Sequence, residues 1–177
     1  MPTSYPRPLE NTYWVEPGLI LAGEYPGDLL LDEGDRKIKA LLEAGVRVFV
    51  NLTHPTDGLE PYAGIAQERA EKMGIVVQHL AFAIPDMFVP DLDETMTGAL
   101  DAIDEAVEAG QIPYIHCWGG IGRTGLTVGC YLVRHGLDPE EALREVQHRY
   151  NVMEKRISHP YSPQSEAQYE YVRNWEG

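Results

Sequence analysis

The stretch that most restricts this chain is His116-Cys117-Trp118-Gly119-Gly120-Ile121-Gly122-Arg123-Thr124-Gly125. It follows a short apolar run, Ile112 to His116, and precedes Leu126 to Val133, which is apolar almost all round and is closed by Gly136. The pattern predicts a strand, a tight loop and a buried central helix. Glycines in the loop allow sharp curvature. Backbone N–H groups can then converge into a concave nest, with the positive end of the helix dipole behind them. A dianionic phosphoryl group suits such a cradle, and Arg123 can close it with a bidentate fork on two phosphate oxygens. Cys117 lies at the base of the nest. A cysteine thiol ordinarily ionises at about pH 8.5, and this setting favours the anion, which is the nucleophilic form. The bland alternative, Cys117 as a small buried hydrophobe, leaves Gly120, Arg123, Thr124 and Gly125 at their offsets unexplained.

The rest of the chain alternates strand-like and helix-like runs, the pattern of an α/β layer fold. Residues 1–12, rich in proline at their start, read as an extended arm. Leu19 to Ala22 reads as an edge strand, Val46 to Leu52 as a buried strand, and Ile75 to Phe82 as the next one. Helices are expected from Asp35 to Ala44 and from Pro61 to Met73, stopped by Gly45 and Gly74. A longer one opens at Asp91, where Asp91 and Glu94 have capping-box spacing, with Asp93, Asp101, Asp104, Glu105 and Glu108 on its solvated face. Asp138-Pro139-Glu140-Glu141 starts another helix, and Ser162-Pro163 starts the last. The expected architecture is a central, mostly parallel sheet of four to five strands flanked by helices, in one domain spanning 1–177.

The loop motif resembles the signature of the cysteine-dependent protein tyrosine phosphatases, HCxxGxxR followed by Ser or Thr and then Gly. Every fixed position is matched, by His116, Cys117, Gly120, Arg123, Thr124 and Gly125. The small size and late position of the loop are similar to the dual-specificity branch, of Cdc14-like and small microbial type. The resemblance implies the cysteine-phosphatase fold and a phosphocysteine intermediate. It implies Cys117 as nucleophile and the loop 118–123 (Trp118, Gly119, Gly120, Ile121, Gly122, Arg123) as phosphate cradle. Thr124 would stabilise the departing thiolate, and His116 would arrange hydrogen bonds under the loop. Ile84-Pro85-Asp86, with Pro90 four residues on, resembles the family's acid loop, so Asp86 is the expected general acid. Chemistry needs such an acid independently, because an alkoxide or phenoxide leaves poorly unprotonated. Asp91 and Asp93 are rivals, although Asp91 reads better as a helix cap. Pro163 to Tyr169 resembles the family's glutamine loop, with Gln164 as first choice to place water. Gln168, four residues on and hence on the same helical face, is the second.

Competing readings of the loop are weaker. Gly120 to Gly125 fits GxGxxG, but a dinucleotide site wants an acidic residue ending a second strand about 20 residues on, where this chain reads as helix. A Walker-type loop fails at Cys117 and Arg123, and the spacing of Arg123 disfavours a rhodanese-like sulfur carrier. Composition narrows the partners. There are 14 Lys and Arg against 28 Asp and Glu, a formal charge of −14, which argues against nucleic acid or an anionic membrane as partner. No apolar run approaches a spanning helix, and two cysteines, Cys117 and Cys130, fit a reducing, cytoplasmic setting. No metal spacing is present and the chemistry needs no cofactor. The expected substrate is a phosphorylated protein or peptide, carrying phosphotyrosine and also phosphoserine or phosphothreonine. No lysine or extra arginine occupies the variable loop positions, which tilts the resemblance away from inositol phosphates and phosphoinositides. The further alternative is a non-catalytic phosphoresidue-binding module.

Overall fold

The computed structural model describes residues 5–177. Five strands make one sheet: β1 (Thr12–Glu16), β2 (Ile20–Gly23), β3 (Val46–Asn51), β4 (Gln78–Ala81) and β5 (Ile112–His116), in the order β1-β2-β5-β3-β4. β1 is antiparallel to β2, and all other pairs are parallel. Among the described residues six α-helices accompany it: α1 (Leu31–Glu43), α2 (Ala63–Met73), α3 (Asp93–Glu108), α4 (Gly122–Arg134), α5 (Pro139–Tyr150) and α6 (Glu166–Arg173). Gly45, Gly74 and Gly136 follow their helices at φ +102°, +67° and +99°, left-handed conformations that glycine enters without a Cβ clash.

Alternation along the strands splits the core in two. Val48, Val50 and Ile115 face α3, α4, α5 and α6 through Leu100, Ile103, Leu126, Val146 and Val172. Leu21, Phe49 and Tyr114 face α1 and α2 through Ile38, Leu41, Leu42, Ala66 and Ala70. The sheet is therefore covered on both faces, as a mostly parallel sheet requires.

Several sequence expectations are corrected. β2 is an inner strand, because Thr12–Glu16 forms the true edge beside it, with Tyr13 and Val15 buried. The turn that joins them uses Gly18 at φ +75°, and the five-residue strand is too short to stand out beside the proline-rich arm. Residues 1–4 of that arm lie outside the described residues; Leu9 is buried, and Arg7 Nη1 donates to the carbonyls of Glu10 and Thr12. α1 begins four residues earlier than the spacing suggests, and β4 is shorter than the apolar run that contains it. The Asp91–Glu94 capping box does not form, since Leu92 is the N-cap and no side chain caps the helix. Asp138 does cap α5, accepting from the N–H groups of Glu140 and Glu141. α6 starts at Glu166, not at Ser162, with Ser165 and Gln168 in a reciprocal capping box. Ser162 is held out of that helix by its buried hydroxyl, which donates to the Ile121 carbonyl at 2.7 Å.

Phe49 has no exposed surface and packs against Tyr62 and Tyr114. Phe49→Ala should destabilise the fold by about 3–5 kcal/mol, read as a fall in the urea midpoint; an unchanged midpoint would show that the α1/α2 face does not depend on this ring.

Candidate active site

β5 ends at His116 and α4 begins at Gly122, so residues 117–121 make the turn between them. The carbonyls of this turn are claimed from outside. His116 O accepts from Leu52 N (2.9 Å), Cys117 O from His116 Nδ1 (3.1 Å) and Trp118 O from Tyr25 N (2.9 Å). Gly119 O accepts from Lys155 Nζ (3.2 Å) and Ile121 O from Ser162 Oγ (2.7 Å). A planar trans peptide sets each following N–H opposite its carbonyl, which turns these amides away from the groups that hold the carbonyls. Gly120 N donates to Cys117 Sγ at 3.3 Å. Gly120 itself sits at φ +74°, and a Cβ there would lie 2.4 Å from the Gly23 carbonyl carbon. No other residue fits that approach.

Cys117 is buried, and its sulfur accepts a second hydrogen bond from Thr124 Oγ1 at 3.1 Å. His116 lies beneath. Because the Cys117 carbonyl can only accept, Nδ1 carries the proton, and Nε2 must then accept from the Tyr62 hydroxyl, 2.5 Å away. Burial away from water pushes the His116 pKa down to about 3, against the opposing pull of the Cys117 carbonyl. The ring is neutral and locked in one tautomer, an arrangement for holding the loop.

Arg123, in the first turn of α4, is almost fully buried. Its Nη1 donates to Asp57 Oδ2 at 2.7 Å and to the Ile84 carbonyl at 3.0 Å. Asp57 closes the 3-10 turn Pro55–Asp57 after β3; its side chain is only 4% exposed, and it also accepts from His54 N at 3.1 Å. The remaining nitrogens, Nε and Nη2, are buried without a hydrogen-bond partner. Asp86, which is half exposed, brings Oδ1 within 3.1 Å of Nη2, an ion-pair distance without hydrogen-bond alignment. One edge of the guanidinium is therefore tied to protein and the other is available to an oxyanion. Asp57 was not singled out from sequence. An Asp before a Gly at a Pro-containing turn is an ordinary turn former, and nothing in the chain ties it to residue 123.

Other expected site residues take different places. Gln164 is exposed and lies against the loop, since a Cβ on Gly122 would come within 2.7 Å of Gln164 Oε1. Gln168 is buried: Oε1 accepts from Gln164 N and Ser165 N, Nε2 donates to the Phe88 carbonyl, and the carboxamide also lies within 3.1 Å of where a Gly122 Cβ would be. With α6 starting at Glu166, the two glutamines do not share a helical face. Asp93 accepts from the Tyr171 hydroxyl at 2.7 Å, and Asp91 is an exposed residue before α3. Trp118 is exposed and lines a cleft of about 380 Å³ beside the loop, with Tyr25, Leu29, Asp57 and Leu59. The acidic face of α3 is solvated as expected, its Asp101 and Asp104 pairing with Arg134.

Residues 9–172 match the family described as "PTP-SAK: Swiss Army Knife protein, DSP-PTPase phosphatase domain". The chain belongs to this DSP-PTPase family. Among solved structures it is similar to Tk-PTP in the active form, with a TM-score of 0.71 and 23% identity over 94% of this chain and 96% of that one. The mouse protein tyrosine phosphatase domain-containing protein 1 is 28% identical over 129 residues, 68% of this chain and 16% of the relative. An Arabidopsis thaliana relative, named phosphatidylinositol 3,4,5-trisphosphate 3-phosphatase and protein-tyrosine-phosphatase PTEN1, is 39% identical over 64 residues, 36% of this chain and 14% of that protein. The chain thus spans about one sixth of the length of these curated relatives.

The buried histidine of this DSP-PTPase chain makes stability depend on pH. An unfolded histidine titrates near about 6.5, so from there down to about 3 the unfolded chain takes up a proton that folded His116 refuses. Stability therefore falls with pH across that window, by up to about 1.4 kcal/mol per unit. Urea unfolding of the wild type and His116→Asn at pH 7 and pH 5 should show the wild type losing about 2 kcal/mol more than the variant; parallel losses would mean that the ring is not held neutral.

Proposed function

We propose that the protein is a phosphoprotein phosphatase that hydrolyses phosphotyrosine, and also phosphoserine and phosphothreonine, through a phosphocysteine intermediate. The observation that carries this reading is the divided guanidinium of Arg123. Asp57 and Ile84 hold one edge, while buried Nε and Nη2 are left for the oxygens of a phosphoryl group. A buried, unpartnered donor pair is costly unless a ligand satisfies it, and two oxygens of a phosphoryl dianion suit the planar guanidinium fork.

In the first step the loop amides and Arg123 hold the phosphate, and Cys117 Sγ attacks phosphorus. The S–P bond forms as the P–O bond to the leaving group breaks, and Asp86 gives its proton to the departing oxygen. In the second step ionised Asp86 takes a proton from a water placed by Gln164. The water oxygen attacks phosphorus, and the S–P bond breaks. Sulfur leaves as an anion facing the Thr124 hydroxyl and the Gly120 amide, which already aim at it. Phosphate is the product. A working thiol of this kind fits a reducing compartment, and Cys117 and Cys130 are both free.

A phosphoinositide substrate is the second reading, favoured by the name of the Arabidopsis relative. Charge weighs against it: Trp118, Gly119, Ile121 and Gly122 bring no cation to the mouth, Lys155 beside them is paired with Glu24, and Asp86 brings an anion. Several phosphates on one ligand would be repelled there.

The deciding experiment is turnover of para-nitrophenyl phosphate, which Cys117→Ser should abolish while phosphate or phosphotyrosine still binds; residual turnover in that variant would remove the nucleophile assignment. Initial rates on phosphotyrosine peptides should exceed those on inositol phosphates. Asp86→Ala should lower kcat by about 10²–10⁴ with KM little changed, and an unaltered kcat would move the acid elsewhere.

A further inference from the structure

Gln168 is polar and has no exposed surface. Its carboxamide serves two elements at once. Oε1 accepts from Gln164 N at 3.0 Å and Ser165 N at 3.2 Å, which closes the start of α6. Nε2 reaches across and donates to the Phe88 carbonyl at 3.1 Å. This last bond does nothing for α6, and it lands two residues after Asp86.

The other end of the same loop is fastened at Ile84. Its N–H donates to Leu52 O at 3.1 Å, its carbonyl accepts from Arg123 Nη1 at 3.0 Å, and its side chain is buried. Residues 85–87 hang between these two fixed points. They form a turn, with Phe88 N donating to Pro85 O at 3.1 Å and Met87 at φ +63°. Non-glycine residues seldom enter that left-handed region, so the turn needs fastening from outside. Within the turn apolar packing does not supply it, because the side chains of Met87 and Phe88 are exposed and packing against the core resumes only at Val89.

We propose that Gln168 is the positioning residue of the acid loop: its side-chain N–H holds the Phe88 carbonyl and so keeps the Asp86 carboxyl at the leaving oxygen. It acts through Asp86. The role rests on the phosphatase reading given above.

Gln168→Glu isolates the tether. It keeps an oxygen for the two N–H groups at the start of α6 and replaces the donor facing Phe88 with an acceptor. A misplaced acid harms poor leaving groups most. The variant should therefore lower kcat on phosphotyrosine about tenfold more than kcat on para-nitrophenyl phosphate, whose leaving anion is more stable. It should also flatten the basic limb of the kcat–pH profile. Ser165→Ala removes the hydroxyl that caps α6 at Gln168 N without touching the tether, and should leave the ratio of the two substrates unchanged. Equal losses on both substrates in Gln168→Glu, or the same ratio change in Ser165→Ala, would overturn the proposal. Should Gln168→Glu fail to fold, nuclear magnetic resonance of the wild type decides. The Gln168 carboxamide protons should be protected from exchange and show Overhauser contacts to residues 88 and 89; fast exchange without such contacts overturns the tether. A wild type without turnover that Cys117→Ser removes would instead sink the phosphatase reading, whatever the resonance contacts show.

Discussion

The structure turns on a property of the peptide bond. Because the unit is planar, whatever grips a carbonyl also aims the next amide. Five carbonyls of residues 116–121 are gripped, by Leu52, His116, Tyr25, Lys155 and Ser162. Their donors come from the residue after β3, from β5, from the segment after β2, from the 3-10 turn Glu154–Ile157 and from the segment before α6. The shape of this loop is therefore a product of the whole fold. Close packing reinforces it: Gly120 approaches Gly23 too closely for any side chain, so the loop rests on the end of β2 and cannot sag.

Charge is handled in the same cooperative way. A buried guanidinium is destabilising unless its donors are satisfied. Arg123 meets a buried carboxylate, Asp57, from the segment after β3, and a carbonyl, Ile84, from the segment after β4. Cys117 follows β5, which lies beside β3. Parallel strands place their carboxyl ends on one edge of the sheet, where α/β folds gather ligands. Here that edge delivers the Cys117 sulfur, the Arg123 guanidinium, Asp57 and Asp86 together. The layer beneath is neutral by construction, since His116 keeps no charge among Tyr62, Tyr114 and Tyr25.

Much of this was legible along the chain where the signal is local. The strand Ile112–His116, the loop glycines, the Asp138 cap and the glycine stops after three helices all depend on a few neighbouring residues. Local reasoning failed where distant contacts decide. Ser162 looked like a helix start, yet its hydroxyl is taken by Ile121, and α6 waits for Ser165. That shift of the helix start leaves Gln164 outside α6 and Gln168 inside it, although both side chains still lie against Gly122. Asp91 had the spacing of a cap, but the chain is still extended at Leu92.

By itself the sequence determined the order of strands and helices from β2 onward and the motif concentrated between residues 116 and 125, because propensity, periodicity and a contiguous motif are properties of adjacent residues. Only the tertiary structure decided that β2 lies inside the sheet, that Asp57 pairs with Arg123 across 66 positions, and that Gln168 reaches Phe88 across 80. Those are choices among many possible partners for an aspartate or a glutamine, and they are made by which groups are desolvated side by side when the two cores close.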